Sequence, residues 1–276
     1  MKKKTYVITI SIITVLCIIW GSMHYIGGFM DGDYNFMGFF SNGKTKNISQ
    51  DVEITEFSSI NVESEIMDVE IQKGDKFSCH YECNKEKLKP KCSIEGGVLK
   101  IKQKGSSGFT LFSSGGKCKV TITVPDGKAL SDIKIVSDTG DLKMADTVTE
   151  SFTLESDTGD VVITNSNLGN TKIETDTGDI TITASAMSDM KLNSDTGDMK
   201  VNDSTMAGVD IESDTGDISI KGGIKVASYN ITMDSDTGDI KINGTDQGSK
   251  CSMSATDGDG LTMKITTDTG DITVSE

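Results

Sequence analysis

The pentapeptide SDTGD at residues 137–141 returns at 156–160, 194–198, 213–217 and 235–239, and as TDTGD at 175–179 and 267–271. Its Asp-Thr-Gly core is the triplet that carries the catalytic carboxylate of aspartic proteases, but seven copies in one chain require one explanation. The glycines stand at 140, 159, 178, 197 and 216, a constant spacing of 19, and then at 238 and 270. A fixed period of this length is the sequence signature of a solenoid.

The residues around each copy set the local structure. Directly after the last Asp come Leu142, Val161, Ile180, Met199, Ile218, Ile240 and Ile272, and two positions later Met144, Ile163, Ile182, Val201, Ile220, Ile242 and Val274. Between them lie Lys143, Val162, Thr181, Lys200, Ser219, Lys241 and Thr273, so most copies alternate apolar and polar residues as a half-buried strand does. A second alternating strand precedes each copy, with Ile135, Leu154, Ile173, Leu192, Ile211, Met233 and Ile265 in one column. Carried onward, the alternation points Ser137 and Thr139 inward and Asp138 outward, until Gly140 permits a tight corner and Asp141 takes its outer edge.

The sequence therefore predicts an all-β fold: a right-handed parallel β-helix with coils of about 19 residues, stacked about 4.8 Å apart, with every pentapeptide at one corner. Gly140, Gly159, Gly178, Gly197, Gly216, Gly238 and Gly270 are its structural corner residues. Residues 131–276 carry the repeats, and 51–130 alternate without the pentapeptide and are expected to form irregular initial coils over the open end of the solenoid. Residues 251–266 break the period, with DGDG at 257–260 as a degenerate copy or a hairpin turn.

The formal charge of −15 argues against nucleic acid as a partner. The pentapeptides supply 14 of the 42 acidic residues, and without them 28 acidic residues face 27 basic ones. The acidity thus belongs to the repeat.

The N-terminus is a different kind of segment. Lys2, Lys3 and Lys4 precede an apolar run from Tyr6 to Trp20 that extends through Ile26, about the length needed to span a bilayer. The lysines are expected in the cytoplasm and the solenoid outside the cell, with a single-pass anchor over 1–27 in the cell membrane and a tether over 28–50. A cleaved signal peptide is the competing reading, with Ile19 and Gly21 as a weak cleavage motif, and Leu16 before Cys17 departs from a lipoprotein signal.

Three chemical readings compete for the polar residues. An aspartic protease needs two carboxylates converging on one cleft, whereas tandem corners lie in a row along one edge. Calcium is a second reading, with Asp138, Asp141, Asp157, Asp160, Asp176, Asp179, Asp195, Asp198, Asp214, Asp217, Asp236, Asp239, Asp268 and Asp271 as candidate ligands. Calcium-binding nonapeptide rolls, however, use a much shorter period and more glycine. The third reading is a corner that needs no ligand: carboxylates about 4.8 Å apart repel by roughly 1 kcal/mol in water, which flanking lysines relieve in part.

Cys79, Cys83, Cys92 and Cys118, with His80, invite a zinc reading, but along a strand Phe77, Cys79, Tyr81 and Cys83 share one face and His80 takes the other. An external location permits disulfides among the four, in a pairing that spacing leaves open, and free thiols are the alternative. Cys251 has no evident partner. With His24 at the membrane boundary and His80 the only other histidine, no Ser-His-Asp or Cys-His set assembles, and no catalytic residue, cofactor or firm metal site is expected.

The lysine-led anchor, FSSINVESEIMDVEIQKGD at 57–75, LKIKQKGSSGFTLFSSGGKCKVTITVPDG at 99–127 and the SDTGDIxI coils together resemble bacterial envelope proteins with a β-strand-repeat domain labelled "putative adhesin", among them LiaG-like proteins. The resemblance covers nearly the whole chain. It implies an extracytoplasmic β-solenoid, often associated with envelope-stress signalling, in a family without an established activity. Two functions follow as expectations: a non-catalytic surface module of structural or adhesion type, touching a cell-wall polymer, or a regulatory partner of a membrane sensor protein. A calcium-stabilised repeat protein is the third.

Overall fold

The computed structural model describes residues 47–104, 116–258 and 260–276. The chain opens with β1 (Ile48–Val52), β2 (Ser59–Ser64), β3 (Asp68–Gly74), β4 (Ser78–Cys83), β5 (Lys91–Glu95), β6 (Val98–Gln103) and β7 (Cys118–Pro125). Regular coils follow, each a long strand and a short one: β8 (Leu130–Thr139) with β9 (Leu142–Ala145), β10 (Thr149–Thr158) with β11 (Val161–Thr164), and β12 (Asn167–Thr177) with β13 (Ile180–Thr183). Two more are β14 (Ala186–Thr196) with β15 (Met199–Asn202), and β16 (Thr205–Thr215) with β17 (Ile218–Lys221). The chain ends with β18 (Tyr229–Thr237), β19 (Ile240–Ile242), β20 (Thr245–Asp246), β21 (Lys250–Met253), β22 (Leu261–Thr269) and β23 (Ile272–Ser275).

These strands build two parallel-rich sheets, of 12 and 11 strands. From β8 to β17 consecutive copies pair in parallel 19 residues apart, as Leu154↔Ile173 and Ile163↔Ile182 illustrate. The alternation read from the sequence sets which face is buried: Ile133, Ile135, Ile163, Ile173, Ile180 and Ile182 are at most 1% exposed and form the core between the sheets. Burial of such side chains at about 1.5–3 kcal/mol each is the main stabilising term.

The stack does not follow chain order. At one end β2 lies between β6 and β8, and β3 between β7 and β9, so the first coil is the second in space. At the other end β22 lies between β16 and β18, and β23 between β17 and β19, so the last coil is again tucked one layer inward. Antiparallel strands cover the outermost coils: β4 on β7 with β1 beyond it, β5 on β6, β21 on β18 and β20 on β19. The strands β1, β4 and β5 thus lie at one end of the stack, and β1 starts at Ile48 inside the stretch assigned to the tether. Residues 250–253 supply the antiparallel strand at the other end, which accounts for the broken period there.

A second corner escaped the sequence reading. Asp146, Asn165, Ala184, Asp203 and Asn243 have φ between 48° and 51°, the left-handed region. Behind them Thr147, Ser166, Ser185 and Ser204 are buried. The hydroxyl of Ser185 accepts a hydrogen bond from the Ser166 N–H at 3.2 Å and donates one to the Thr183 carbonyl at 2.9 Å. Asp and Asn tolerate this backbone conformation, but alanine lacks a side chain to compensate for it. Ala184→Asn, at an exposed site, is expected to raise stability by about 0.5–1 kcal/mol. Equilibrium urea unfolding measures it, and a loss of stability would show that the corner does not impose the strain.

Among the described residues no helix is long and apolar enough to cross a membrane. The expected anchor over 1–27 lies outside the described residues.

Candidate functional site

The pentapeptides stack at a single corner in the spatial order of the coils. A Cβ built on Gly159 would lie 2.1 Å from the carbonyl oxygen of Gly140, and the same clash links Gly178 to Gly159, Gly197 to Gly178 and Gly216 to Gly197. Gly270 then stacks on Gly216 and Gly238 on Gly270. These glycines combine a φ near 150° with backbone contact too close for any side chain.

The last Asp of six of the seven copies has a specific task, and Asp239 of the outermost copy joins them through its N–H. The Oδ1 of Asp141 accepts a hydrogen bond from the Asp160 N–H at 3.1 Å, that of Asp160 from Asp179 at 3.0 Å, that of Asp179 from Asp198 at 2.9 Å and that of Asp198 from Asp217 at 3.1 Å. The ladder starts on Asp68, which accepts from Asp141, and ends with Asp217 accepting from Asp271 and Asp271 from Asp239. Each carboxylate therefore satisfies one backbone N–H of the next coil, a group that the corner would otherwise leave outside the sheet ladder. Lys200 donates to Asp198 at 2.9 Å. The Lys200 ammonium and, second, the Asp217 N–H hold the Asp198 carboxyl below its usual range. That contribution is present above the unfolded-state pKa and is lost as pH falls through the lowered folded-state value, and partial exposure keeps it small.

The first Asp of each copy, Asp138, Asp157, Asp176, Asp195, Asp214, Asp236 and Asp268, is exposed. The predicted inward position of Ser137 holds throughout its column, from Ser137 to Ser156, Thr175, Ser194, Ser213, Ser235 and Thr267. Thr139 does not follow it: Thr139, Thr158, Thr177, Thr196, Thr215, Thr237 and Thr269 are all exposed. Alternation ends where the strand turns, because the chain bends between the buried Ser and the corner Gly, and the inward side there is closed by stacked backbone.

The carboxylates thus run in a row from coil to coil, without a cleft between two facing loops. Among the described residues no group of three or more His, Cys, Asp and Glu side chains is arranged to hold a metal ion. Asp179→Ala, which removes the acceptor for the Asp198 N–H, is expected to cost about 1 kcal/mol, and Asp176→Asn less than about 0.5 kcal/mol. Urea unfolding of both variants checks the order. In the same samples calcium is expected to shift the melting temperature no more than magnesium does; a saturable, calcium-specific rise lost in the Asp variants would assign the ladder to calcium instead.

The cysteines resolve differently from any zinc set. Cys83 and Cys118, directly opposed on β4 and β7, form a disulfide. Cys79 is buried and free, Cys92 and Cys251 are free and half-buried, and Cys79 donates to Cys92 with sulfurs 3.9 Å apart. His80 points the other way, with Nδ1 2.8 Å from Asp51 Oδ1 and Nε2 3.1 Å from Ser49 Oγ. Burial raises the Cys251 thiol pKa.

The model of the Toastrack DUF4097 family matches residues 57–266. Among solved structures, the chain is similar to a "putative cell adhesion protein" of Clostridium sporogenes at 14% identity and a TM-score of 0.44, covering 83% of this chain and 99% of that one. A "putative adhesin" of Bacteroides fragilis follows at 14% identity and 0.42, covering 83% and 96%. A "putative lipid binding protein" of Parabacteroides distasonis stands at 14% and 0.34, covering 85% and 98%. None of the curated proteins compared with the chain matches it.

Proposed function

The chain belongs to the Toastrack DUF4097 family, and from that premise we propose that it is a non-catalytic, membrane-anchored module of structural or adhesion type, with its solenoid outside the cell. One observation carries the reading: the chain's dominant polar motif is used to hold coil on coil. In every copy the glycine permits backbone contact, and in six of the seven the last Asp accepts a neighbouring N–H. What remains free is the outer row of Asp138-type carboxylates, a regularly spaced acidic edge suited to a repetitive partner such as a wall polymer with cationic groups. The Cys83–Cys118 disulfide favours an oxidising compartment, and the lysine-led apolar run over 1–27 favours an anchor facing it. We take the coil to be right-handed, the sense that connections between parallel strands adopt.

The test separates this reading from a sensor-regulating one. With Asp157→Cys in the full chain, a membrane-impermeant maleimide should label position 157 on intact cells, as mapped by peptide mass spectrometry against the wild type, and labelling of that position only after lysis would remove the external location. In-cell crosslinking should then leave the protein with wall polymer and no stoichiometric protein partner. Reproducible crosslinking to one membrane sensor would replace the structural role with a regulatory one.

A further inference from the structure

Cys79 and Cys92 are placed unlike the disulfide beside them. Cys83 and Cys118 join two neighbouring strands of the 12-stranded sheet. Cys79 lies on β4 of that sheet, whereas Cys92 lies on β5 of the 11-stranded sheet. Both strands cover the outermost coil, β4 with Cys79 opposite Ile122 and β5 with Cys92 opposite Ile101. A bond between these sulfurs would therefore join the two sheets across the end of the core. Their 3.9 Å separation is hydrogen-bond distance for thiols, so side-chain rotation has little distance to close.

We propose that Cys92 and Cys79 are a redox-active dithiol, in which Cys92 exchanges with an external disulfide and Cys79 resolves the product into an intramolecular bond between the sheets. The two cysteines have the unequal environments this chemistry requires. Cys92 is half-buried, while Cys79 is 1% exposed. The Cys79 thiol donates to the Cys92 sulfur, and that hydrogen bond favours the Cys92 thiolate and lowers its pKa. The same bond, with burial, pushes the Cys79 thiol up. The less buried sulfur is thus the better nucleophile, and the sheltered one is protected from direct attack.

The exchange balances with a disulfide as oxidant. The Cys92 thiolate attacks one sulfur of R–S–S–R; the Cys92–S–S–R bond forms and one R–S⁻ leaves and takes up the proton given up by Cys92. Cys79 then loses its proton and attacks the Cys92 sulfur, the Cys79–Cys92 bond forms, and the second R–S⁻ leaves as a thiol. Two protein thiols are oxidised by two electrons and the acceptor disulfide is reduced to two thiols. The inference rests on the geometry of the four cysteines and is independent of the location proposed above.

The experiment uses the full chain in detergent, equilibrated with reduced and oxidised glutathione across a range of ratios, quenched with N-ethylmaleimide and mapped by peptide mass spectrometry. A Cys79–Cys92 disulfide should appear and revert with the ratio, while Cys83–Cys118 stays oxidised under more reducing conditions. Cys79→Ser should trap glutathione on Cys92, and Cys92→Ser should leave Cys79 unmodified. Should either variant misfold, the wild-type protein still decides: in short maleimide pulses Cys92 should react at least tenfold faster than Cys79. Alkylation of both thiols at every ratio, a bond that no ratio reduces, or glutathione trapped on Cys79 would each overturn the proposal.

Discussion

Gly178→Val is expected to destabilise the solenoid by more than about 4 kcal/mol, to the point that the middle of the stack fails to form. Two independent costs coincide at this residue. Its φ of 146° is a conformation that a β-branched residue rarely adopts. Its Cβ would also lie 2.1 Å from the Gly159 carbonyl oxygen and 2.7 Å from the carbonyl carbon. Both obstructing atoms are backbone, so no rotamer change relieves the contact, and opening the coils would break the Gly178 N–H bond to Thr196 and its equivalents above and below. Since each coil contacts only its neighbours, the break would divide the stack into two shorter pieces. Gly127→Ala is the control: φ there is 73°, nothing lies within 4 Å of the added carbon, and only the backbone cost of about 1 kcal/mol applies. Urea unfolding of both variants measures the contrast, and equal losses would mean that stacked backbone contact contributes nothing at the corner.

The corner was legible because each glycine recurs in a column, and the buried faces were legible because strands alternate with a period of two. Ser137 and its equivalents followed that alternation, and the exposed Thr139 column did not, because alternation carries no information past the residue where a strand bends. The carboxylate ladder had a visible signal, an Asp invariably after the corner Gly, but the acceptor role depends on the height of one coil above the next. The Asp146, Asn165, Ala184 and Asp203 column also recurs every 19 residues, each followed by Thr or Ser, and could have been read as a second corner. Cysteine pairing was not legible, since it depends on which end strand covers which sheet.

Stacking order was the least legible feature, and the physical reason is the repeat itself. The apolar columns of β18, β22 and β16 are interchangeable: Ile231 and Met233 match Met263 and Ile265, which match Val209 and Ile211. Any coil could rest on any other, so the order is decided by connections and by what covers the ends. The seven residues between β17 and β18 include a short 3-10 turn, Val226–Ser228, whose first N–H donates to the Glu276 side chain at 2.8 Å. This hydrogen bond ties the linker to the last coil, whose strand β22 lies between β16 and β18. The same inward tuck at the other end, with β2 and β3 as the second layer, leaves only antiparallel strands as outer edges and removes the long parallel edges that would pair with another molecule.

A chain ending at residue 260 tests this order, with an effect far larger than the loss of one terminal coil from a sequential solenoid. It loses Met263, Ile265, Ile272 and Val274, all fully buried and together of the order of 6–12 kcal/mol of side-chain burial. It also strips one face from each of two interfaces, leaving β16 and β17 without a cover and β18 and β19 without a seat. Hydrogen exchange should then show 229–253 unprotected although every residue of it is present, while 149–202 keep their protection. In a sequential stack the same deletion would leave 229–242 resting on 205–221. Protection retained over 229–242 would therefore mean that β18 and β19 had moved down into the vacated layer and that the linker does not enforce the order.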